Sequence, residues 1–389
     1  MVRAVRTGQS MRSVSKQYGV SLSTVQLWVL RAEGKALEQV NWSDESHTPH
    51  CHPNQTDASV RERLIAARKY LAQMSDLGEY GGQAIRDYLI EQGDFTVPSV
   101  PTINRILRAA GVFDRQVRVR RKPPIRGWYL PEVASGQSDI DETDFVEALF
   151  LEGEKEHFVL NTISLHGGLC ASRICPSQRT DFVLESLLSH WRSFGLPNYA
   201  QFDNGNVFTG PRQHPDTIGR VIRLCLSLGV NPVFSAPTAF GFQSAIESYN
   251  GRWREKAWKR FVFTSFEEAQ SYSDRYVAAA NRKSKMRQAV APPRRAFPMD
   301  WKEPTKLDRT GKIIFIRMTN NKGEVEILTR NYPVAEHWCS RLVRCEVDLV
   351  ENKVRVYALR RAATESQPLL QEWAYKLPDK RKKMIKEEG

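Results

Sequence analysis

Between residues 130 and 296 short apolar runs alternate with amphipathic stretches, and this texture restricts the fold more than any other feature of the chain. Residues 137–141, 157–165 and 170–175 read as three neighbouring strands. A helix over 181–194, a short buried strand over 199–202, a helix over 216–228 and a strand over 232–235 follow. Residues 241–261 read as one long helix with Ile246, Tyr249, Trp253 and Trp258 on its apolar side. Three strands and then alternating helices and strands predict a mixed sheet with helices on both faces, an α/β domain over 130–296.

The flanks have other textures. In residues 9–28 two short helical patterns are separated by Gly19-Val20-Ser21, with Gly19 suited to a left-handed turn and Ser21 or Ser23 suited to capping the second helix. Val14, Val20, Val25 and Trp28 fall where a small shared core would sit. Residues 1–40 therefore read as a helix-turn-helix whose second helix enters the major groove of DNA, with Ser23, Thr24, Gln26 and Arg31 at the interface. Residues 56–112 read as a second helical, helix-turn-helix-like module. In its last helix Ile103, Ile106 and Leu107 turn inward, while Thr102, Asn104, Arg105 and Arg108 are candidates for DNA contact.

The linker 113–129 carries Arg118, Arg120, Arg121 and Lys122, stiffened by Pro123-Pro124, and reads as an arm along phosphates. Residues 305–362 alternate at period two between turn signals such as Asn320-Asn321-Lys322-Gly323, and predict a small carboxy-terminal β-barrel without chemistry of its own. Residues 363–389 form a charged tail.

Lysine plus arginine number 57 against 44 aspartate plus glutamate, and the net charge of +13 favours polyanionic partners. No run approaches the ~18 consecutive apolar residues of a membrane helix, and the first ten residues lack the apolar stretch of a leader, so a cytoplasmic protein is expected. The six cysteines are scattered without C-x-x-C spacing and read as reduced thiols. His47, His50, Cys51 and His52 are too crowded to surround one ion and read as a solvated linker.

Three acids lie where a charge is awkward without compensation: Asp139 in the first strand, Asp203 at the end of an apolar strand, and Glu247 inside a helix. Strand ends and a neighbouring helix bring such groups together, and clustered carboxylates are what hold the two hard cations of phosphoryl transfer. Asp203-Asn204-Gly205 then combines a ligand with a turn, and Asn204 is placed to touch phosphate or to position a ligand.

The pieces Gln137-Ser138-Asp139, 157–164, Phe202-Asp203-Asn204-Gly205, Ser235-Ala236-Pro237 and 242–253 stand in an order that resembles the DDE transposases and retroviral integrases. The resemblance is nearest to the bacterial insertion-sequence branch with an amino-terminal helix-turn-helix, and it extends over most of the chain. It implies a ribonuclease H-like core in which Asp139, Asp203 and Glu247 are catalytic metal ligands for two magnesium or manganese ions. It also implies that Asn250 and Arg254 contact DNA ends. Asp139 is preferred as first acid because it follows Gln137-Ser138 as the family pattern does, with Asp141 on the same strand face as the rival and Asp144 close by. Glu247 follows Asp203 at a longer step than is usual in the family, with 208–217 as the extra loop.

The implied activity is that of a DNA transposase. Metal-activated water nicks the ends of a mobile element, and the freed 3′ hydroxyl attacks target DNA by transesterification. The implied partners are double-stranded element ends and target, held by a homo-oligomer at the bacterial nucleoid. A transposase-derived DNA-binding regulator with an inert core is the alternative.

Overall fold

The computed structural model describes residues 1–43, 56–94, 96–112, 126–151, 156–211, 216–237, 241–303, 309–361 and 363–378. The chain divides into two compact units, Met1–Val60 and Arg61–Gly389. The basic arm with Arg118, Arg120, Arg121 and Lys122, and the histidine-rich linker, lie outside the described residues.

In the first unit α1 (Val2–Arg6), α2 (Met11–Tyr18) and α3 (Leu22–Arg31) are set by local signals. The Ser10 hydroxyl accepts from the Ser13 amide, Gly19 ends α2 at φ 64°, and the Ser21 hydroxyl accepts from the Thr24 amide. Val14 and Val25 are fully buried, which stabilises the hairpin by roughly 1.5–3 kcal/mol per side chain. Ser21→Ala should cost about 1 kcal/mol of helix stability, read as an approximately fivefold faster hydrogen exchange at the Thr24 amide. An unchanged exchange rate there would show that the cap is idle.

The helix α4 (Ala58–Met74) carries the chain into the second unit, where α5 (Gly82–Glu91) and α6 (Val100–Ala109) follow. Pro101 sits in the first turn of α6, where its missing N–H costs nothing, and Ile103, Ile106 and Leu107 are buried as the periodicity predicts. Asn104, expected to face outward, instead lies across Gly82 of α5. A Cβ on Gly82 would meet the Asn104 Oδ1 at 2.4 Å, so the glycine is what lets these helices approach.

After α7 (Pro131–Ala134) come β1 (Ile140–Phe150), β2 (Glu156–Ser164) and β3 (Cys170–Cys175), an antiparallel meander. Then follow α8 (Thr180–Phe194), β4 (Tyr199–Phe202), the short α9 (Asn206–Thr209), α10 (Arg220–Ser227) and β5 (Asn231–Phe234). The next helix, α11 (Ser244–Trp253), passes into a π-turn over Arg254–Trp258 and leads to α12 (Phe266–Lys283) and α13 (Lys285–Val290). β4 pairs parallel to β1 and β5 parallel to β4. On one side of the sheet Leu187 and Trp191 of α8 and Leu224 of α10 pack with Phe202 and Phe234. On the other, Ile246, Tyr249 and Trp253 of α11 and Tyr276 of α12 pack with Val146, Val159 and Ile174. The expected mixed α/β arrangement with helices on both faces is what the chain forms.

Two expectations need correction. The first strand begins at Ile140 and runs to Phe150, later and longer than the expected 137–141. And the carboxy-terminal strands do not form a separate barrel: β6 (Lys312–Met318), β9 (Leu342–Asp348), β10 (Lys353–Ala358) and β11 (Leu369–Ala374) continue the central sheet in the order β11-β10-β9-β6-β5-β4-β1-β2-β3. Among the described residues only β7 (Glu324–Ile327) and β8 (Arg330–Pro333) form a separate sheet, as a hairpin. The physical reason is in β6, where Ile313, Ile314, Phe315 and Ile316 are all buried. A continuous apolar run with both faces covered belongs inside a sheet, and β6 pairs parallel to β5.

Candidate active site

Side chains alternate along β1, so Asp139, Asp141 and Thr143 lean to one face and Glu142 and Asp144 to the other. The two faces treat their acids in opposite ways.

On the first face a single guanidinium neutralises the pair. Arg294 donates to Asp141 Oδ1 and Oδ2 at 2.8 Å each, to Asp139 Oδ2 at 3.3 Å, and to the carbonyls of Phe194 and Gly195. Asp139 also accepts from the Ser164 hydroxyl at 2.6 Å and the His166 amide at 3.1 Å, and Asp141 from the Trp191 indole at 3.0 Å. Asp139 and Asp141 are 1% and 0% exposed, so this is a buried ion pair clamping the segment after α13 and the helix α8 to β1. Burial pushes the Asp141 carboxyl up, but the charge and hydrogen bonds of Arg294 outweigh it and hold the group well below the usual carboxylate range.

On the second face the acids act on one another through their charges. The Asn250 amide of α11 donates to Asp144 Oδ2 at 2.9 Å while its oxygen accepts from Asn161 of β2 at 2.8 Å. Glu142 accepts from the Ile246 amide at 2.8 Å, capping the first turn of α11 from a neighbouring strand. The β1–β4 register ends by matching Glu142 with Gln201, and Asp144 and Asp203 each follow two residues later in their own segments. Glu247 precedes Asn250 by three positions and shares its helix face. Burial and then the Asp203 charge push Asp144 up to about 6, with Glu247 adding to the rise. Burial likewise pushes Glu142 up to about 7, the Ile246 and Ala245 amides opposing it and Glu247 reinforcing it.

The charges of Asp203 and Glu247 both act on Asp144, whereas Asp139 is held by Arg294. Asp139 and Asp141, the expected first acid and its rival, are both paired with Arg294. Among the described residues no lysine or arginine lies within ion-pair distance of Asp144 or Glu247. Nor, among them, do three or more His, Cys, Asp or Glu side chains already converge as a metal cage. The donors on this face are carboxylate oxygens, the ligand type that fits a hard divalent cation such as magnesium.

Other expected contacts are placed variously. Asp203 Oδ1 accepts from the Gly205 amide at 2.9 Å, the expected turn, and a Cβ on Gly205 would sit 3.0 Å from that same oxygen. Asn204 donates to the Ser235 carbonyl at 2.6 Å, tying the ends of β4 and β5. Asn250, implied to contact DNA, has its carboxamide engaged within the acid cluster, and Arg254 donates to the Glu147 carbonyl at 2.6 Å. Ser23 and Thr24 share hydrogen bonds with Ser21, Thr102 bonds to Ser99, and Arg31 lies over the Trp28 ring. Gln26, Arg105 and Arg108 are exposed.

Because the folded-state values of Glu142 and Asp144 are raised above the ordinary 4.5 and 3.8, both groups favour the folded chain most when protonated. Stability should therefore be full below about pH 4 for these groups and fall as pH rises through about 6 to 7. Melting curves without divalent metal should show that decline, and magnesium should reduce it by compensating the ionised pair. A midpoint that rises between pH 5 and 7.5, in a variant series where Glu142→Gln and Asp144→Asn change nothing, would contradict it.

No family model matches the chain. Among solved structures, it is similar to a chain of the simian T-cell lymphotropic virus intasome in complex with PP2A regulatory subunit B56 gamma, at 15% identity and TM-score 0.33 over 68% of this chain and 84% of that one. It is also similar to the HTLV-2 integrase catalytic core domain in complex with magnesium, at 12% identity and TM-score 0.25 over 43% and 86%. The catalytic core domain of BIV integrase shows 16% identity and TM-score 0.25 over 36% and 80%. Likeness at this level carries no argument, and the reading of the site rests on its geometry.

Proposed function

We propose that the chain is a metal-dependent polynucleotidyl transferase of the DDE type, a DNA transposase with a ribonuclease H-like core, in which Asp144, Asp203 and Glu247 hold the metal. One contrast carries the reading: Arg294 neutralises the acids on one face of β1, whereas Asp144 on the other, raised by burial and then by the charges of Asp203 and Glu247, has no cation paired to it or to Glu247 among the described residues. Asp144 and Glu247, neither of them ion-paired among the described residues, repel each other when both are ionised unless a cation joins them.

When bound, a pair of magnesium ions supplies the Lewis acid and the activated oxygen nucleophile of in-line displacement. Asp144 would offer its oxygens to such ions from β1, Asp203 from the turn after β4 and Glu247 from the first turn of α11. Asn250 orients Asp144 and is itself oriented by Asn161, the kind of outer support that fixes a ligand's direction. Water and then a 3′ hydroxyl attack phosphate with no covalent intermediate on the protein.

The helix pair of residues 1–40 reads element-end DNA through the exposed side of α3, around Gln26. Double-stranded DNA and a second copy of the chain are the partners, at the nucleoid; no described helix is long and apolar enough to cross a membrane. Duplexes from the DNA flanking the chain's own gene, incubated with the full chain and magnesium, test the proposal. Nicks leaving a 3′ hydroxyl, followed by joining to a second duplex, are expected; tight binding without either product would leave a regulator instead.

A further inference from the structure

The start of α11 is fixed from outside the helix. Whereas α2, α3 and α12 each begin on a serine of their own, Ser10, Ser21 and Ser265, α11 takes its first support from across the sheet. Glu142 of β1 accepts from the Ile246 amide at 2.8 Å, and Gln201, its neighbour on β4, donates through Nε2 to the Phe242 carbonyl at 2.7 Å. The Tyr129 hydroxyl, from the turn before α7, stands 2.9 Å from that same carbonyl and within hydrogen-bond distance of Gln201 Oε1, and its one proton is shared between them. Tyr129, Gln201 and Phe242 are all buried, and the Phe242 ring packs edge-on to the Tyr129 ring with centroids 5.2 Å apart.

These contacts repeat, one tier back, the pattern of the acid cluster. Asp144 and Asp203 stand two residues beyond Glu142 and Gln201, and Asn250, which holds Asp144, stands four beyond Ile246, which Glu142 holds. Two strand residues advance about 6.6 Å and four helix residues about 6 Å, so α11 and β1 run side by side in step. Glu247 follows Ile246 directly, between the two ties. A slip or unwinding of the first turn is opposed at Phe242 and Ile246 before it reaches Glu247.

Tyr129 and Gln201 are uncharged, so what they supply at this place is position and not field. We infer that Tyr129 and Gln201 are positioning residues, which hold the entry to α11 through the Phe242 carbonyl so that the Glu247 carboxylate stays placed for a divalent cation. The inference rests on the proposed metal-dependent reading and adds to it two residues that touch neither metal nor substrate. A buried side chain that only stabilises the fold leaves the affinity of an ion alone, whereas one that directs a ligand typically changes it 10–100-fold.

The test titrates the full chain with manganese in the absence of DNA and reads the free ion by its electron paramagnetic resonance signal, for the wild type, Tyr129→Phe and Gln201→Met. The site is counted as the binding that Asp144→Asn loses. Both variants should bind the ion about tenfold more weakly at a temperature where their melting curves show them folded. Thr319→Val removes another buried hydroxyl, one bonded to the Trp338 carbonyl, and should lower the melting temperature while leaving that affinity unchanged. If Gln201→Met does not fold, Tyr129→Phe, which removes a single oxygen atom, decides alone. Wild-type affinity in a folded variant overturns the inference, as does an equal weakening in Thr319→Val, which would make ion affinity a measure of general stability. The two readings fail separately. Manganese binding that Asp144→Asn does not reduce defeats the metal site itself, whereas a loss in Asp144→Asn beside an unchanged Tyr129→Phe defeats only the anchor.

Discussion

Asp144→Asn should reduce magnesium-dependent nicking and joining by at least on the order of a hundredfold while leaving DNA affinity intact or higher. Even partners one shell removed from a metal typically cost 10–100-fold when altered, and Asp144 is proposed to touch the ion itself. Asparagine keeps the shape and the acceptor oxygen but removes the charge that opposes phosphate, so binding has no reason to weaken. Asp139→Asn should behave differently, because Asp139 is held by Ser164, His166 and Arg294 on the other face of β1. Its effect should appear as a lower melting temperature, with near-normal turnover at temperatures where the variant is folded. Turnover of both variants, measured beside their melting curves, separates the cases. A folded but inactive Asp139→Asn together with an active Asp144→Asn would return the first ligand to Asp139.

Arg294→Met should destabilise the second unit by about 3–5 kcal/mol, the cost of leaving a buried charge without its partner. Asp139 and Asp141 are almost wholly buried and meet on this guanidinium, and a methionine fills much of the volume without the charge. The sign with pH follows from Asp141. Its carboxyl is depressed in the folded wild type, so the stability it contributes is present above about pH 4 and lost as the solution becomes more acidic. The deficit of Arg294→Met should therefore be greatest near neutrality and shrink on acidification, and Asp141→Asn should recover part of it at pH 7. Urea unfolding midpoints at pH 7 and pH 4 check this. A deficit below about 1 kcal/mol at pH 7 would show that water, rather than Arg294, compensates these acids.

These outcomes bear on what the sequence made legible. Ser10, Gly19 and Ser21 marked the first helices because a cap and a left-handed turn involve residues only a few positions apart. Asp203 and Glu247 stood out because a charge ending a buried strand, or one set in an apolar helix, is conspicuous along the chain. The choice among Asp139, Asp141 and Asp144 was not legible in the same way. It depends on which face of β1 meets α11 and which meets Arg294, and Arg294 is 155 positions from Asp139. The position of β1 offered a partial sign, since Phe145, Val146 and Leu149 extend the apolar pattern beyond Asp141 and make Asp144 central to the strand. Glu142 was missed because a helix cap supplied by a distant strand has no local signature. The barrel was expected because alternation reports a strand but not its neighbour. The unbroken burial of Ile313 to Ile316 was the available hint that β6 lies within a larger sheet.

The joining of β6 to β5 also governs the order in which this protein can be born. A ribosome delivers β5 well before β6, and at roughly 5–20 residues per second the interval lasts several seconds. Through that time the outer edge of Asn231–Phe234 offers unpaired amides and carbonyls, and the ring of Phe234 lacks Phe315, which stacks on it in the finished chain at 5.3 Å. An open, apolar edge is a template for pairing with other nascent chains. Messages that stop early, between β5 and β6, should therefore yield sticky, insoluble fragments, and a shortened chain would not persist as a free competitor of the full-length one.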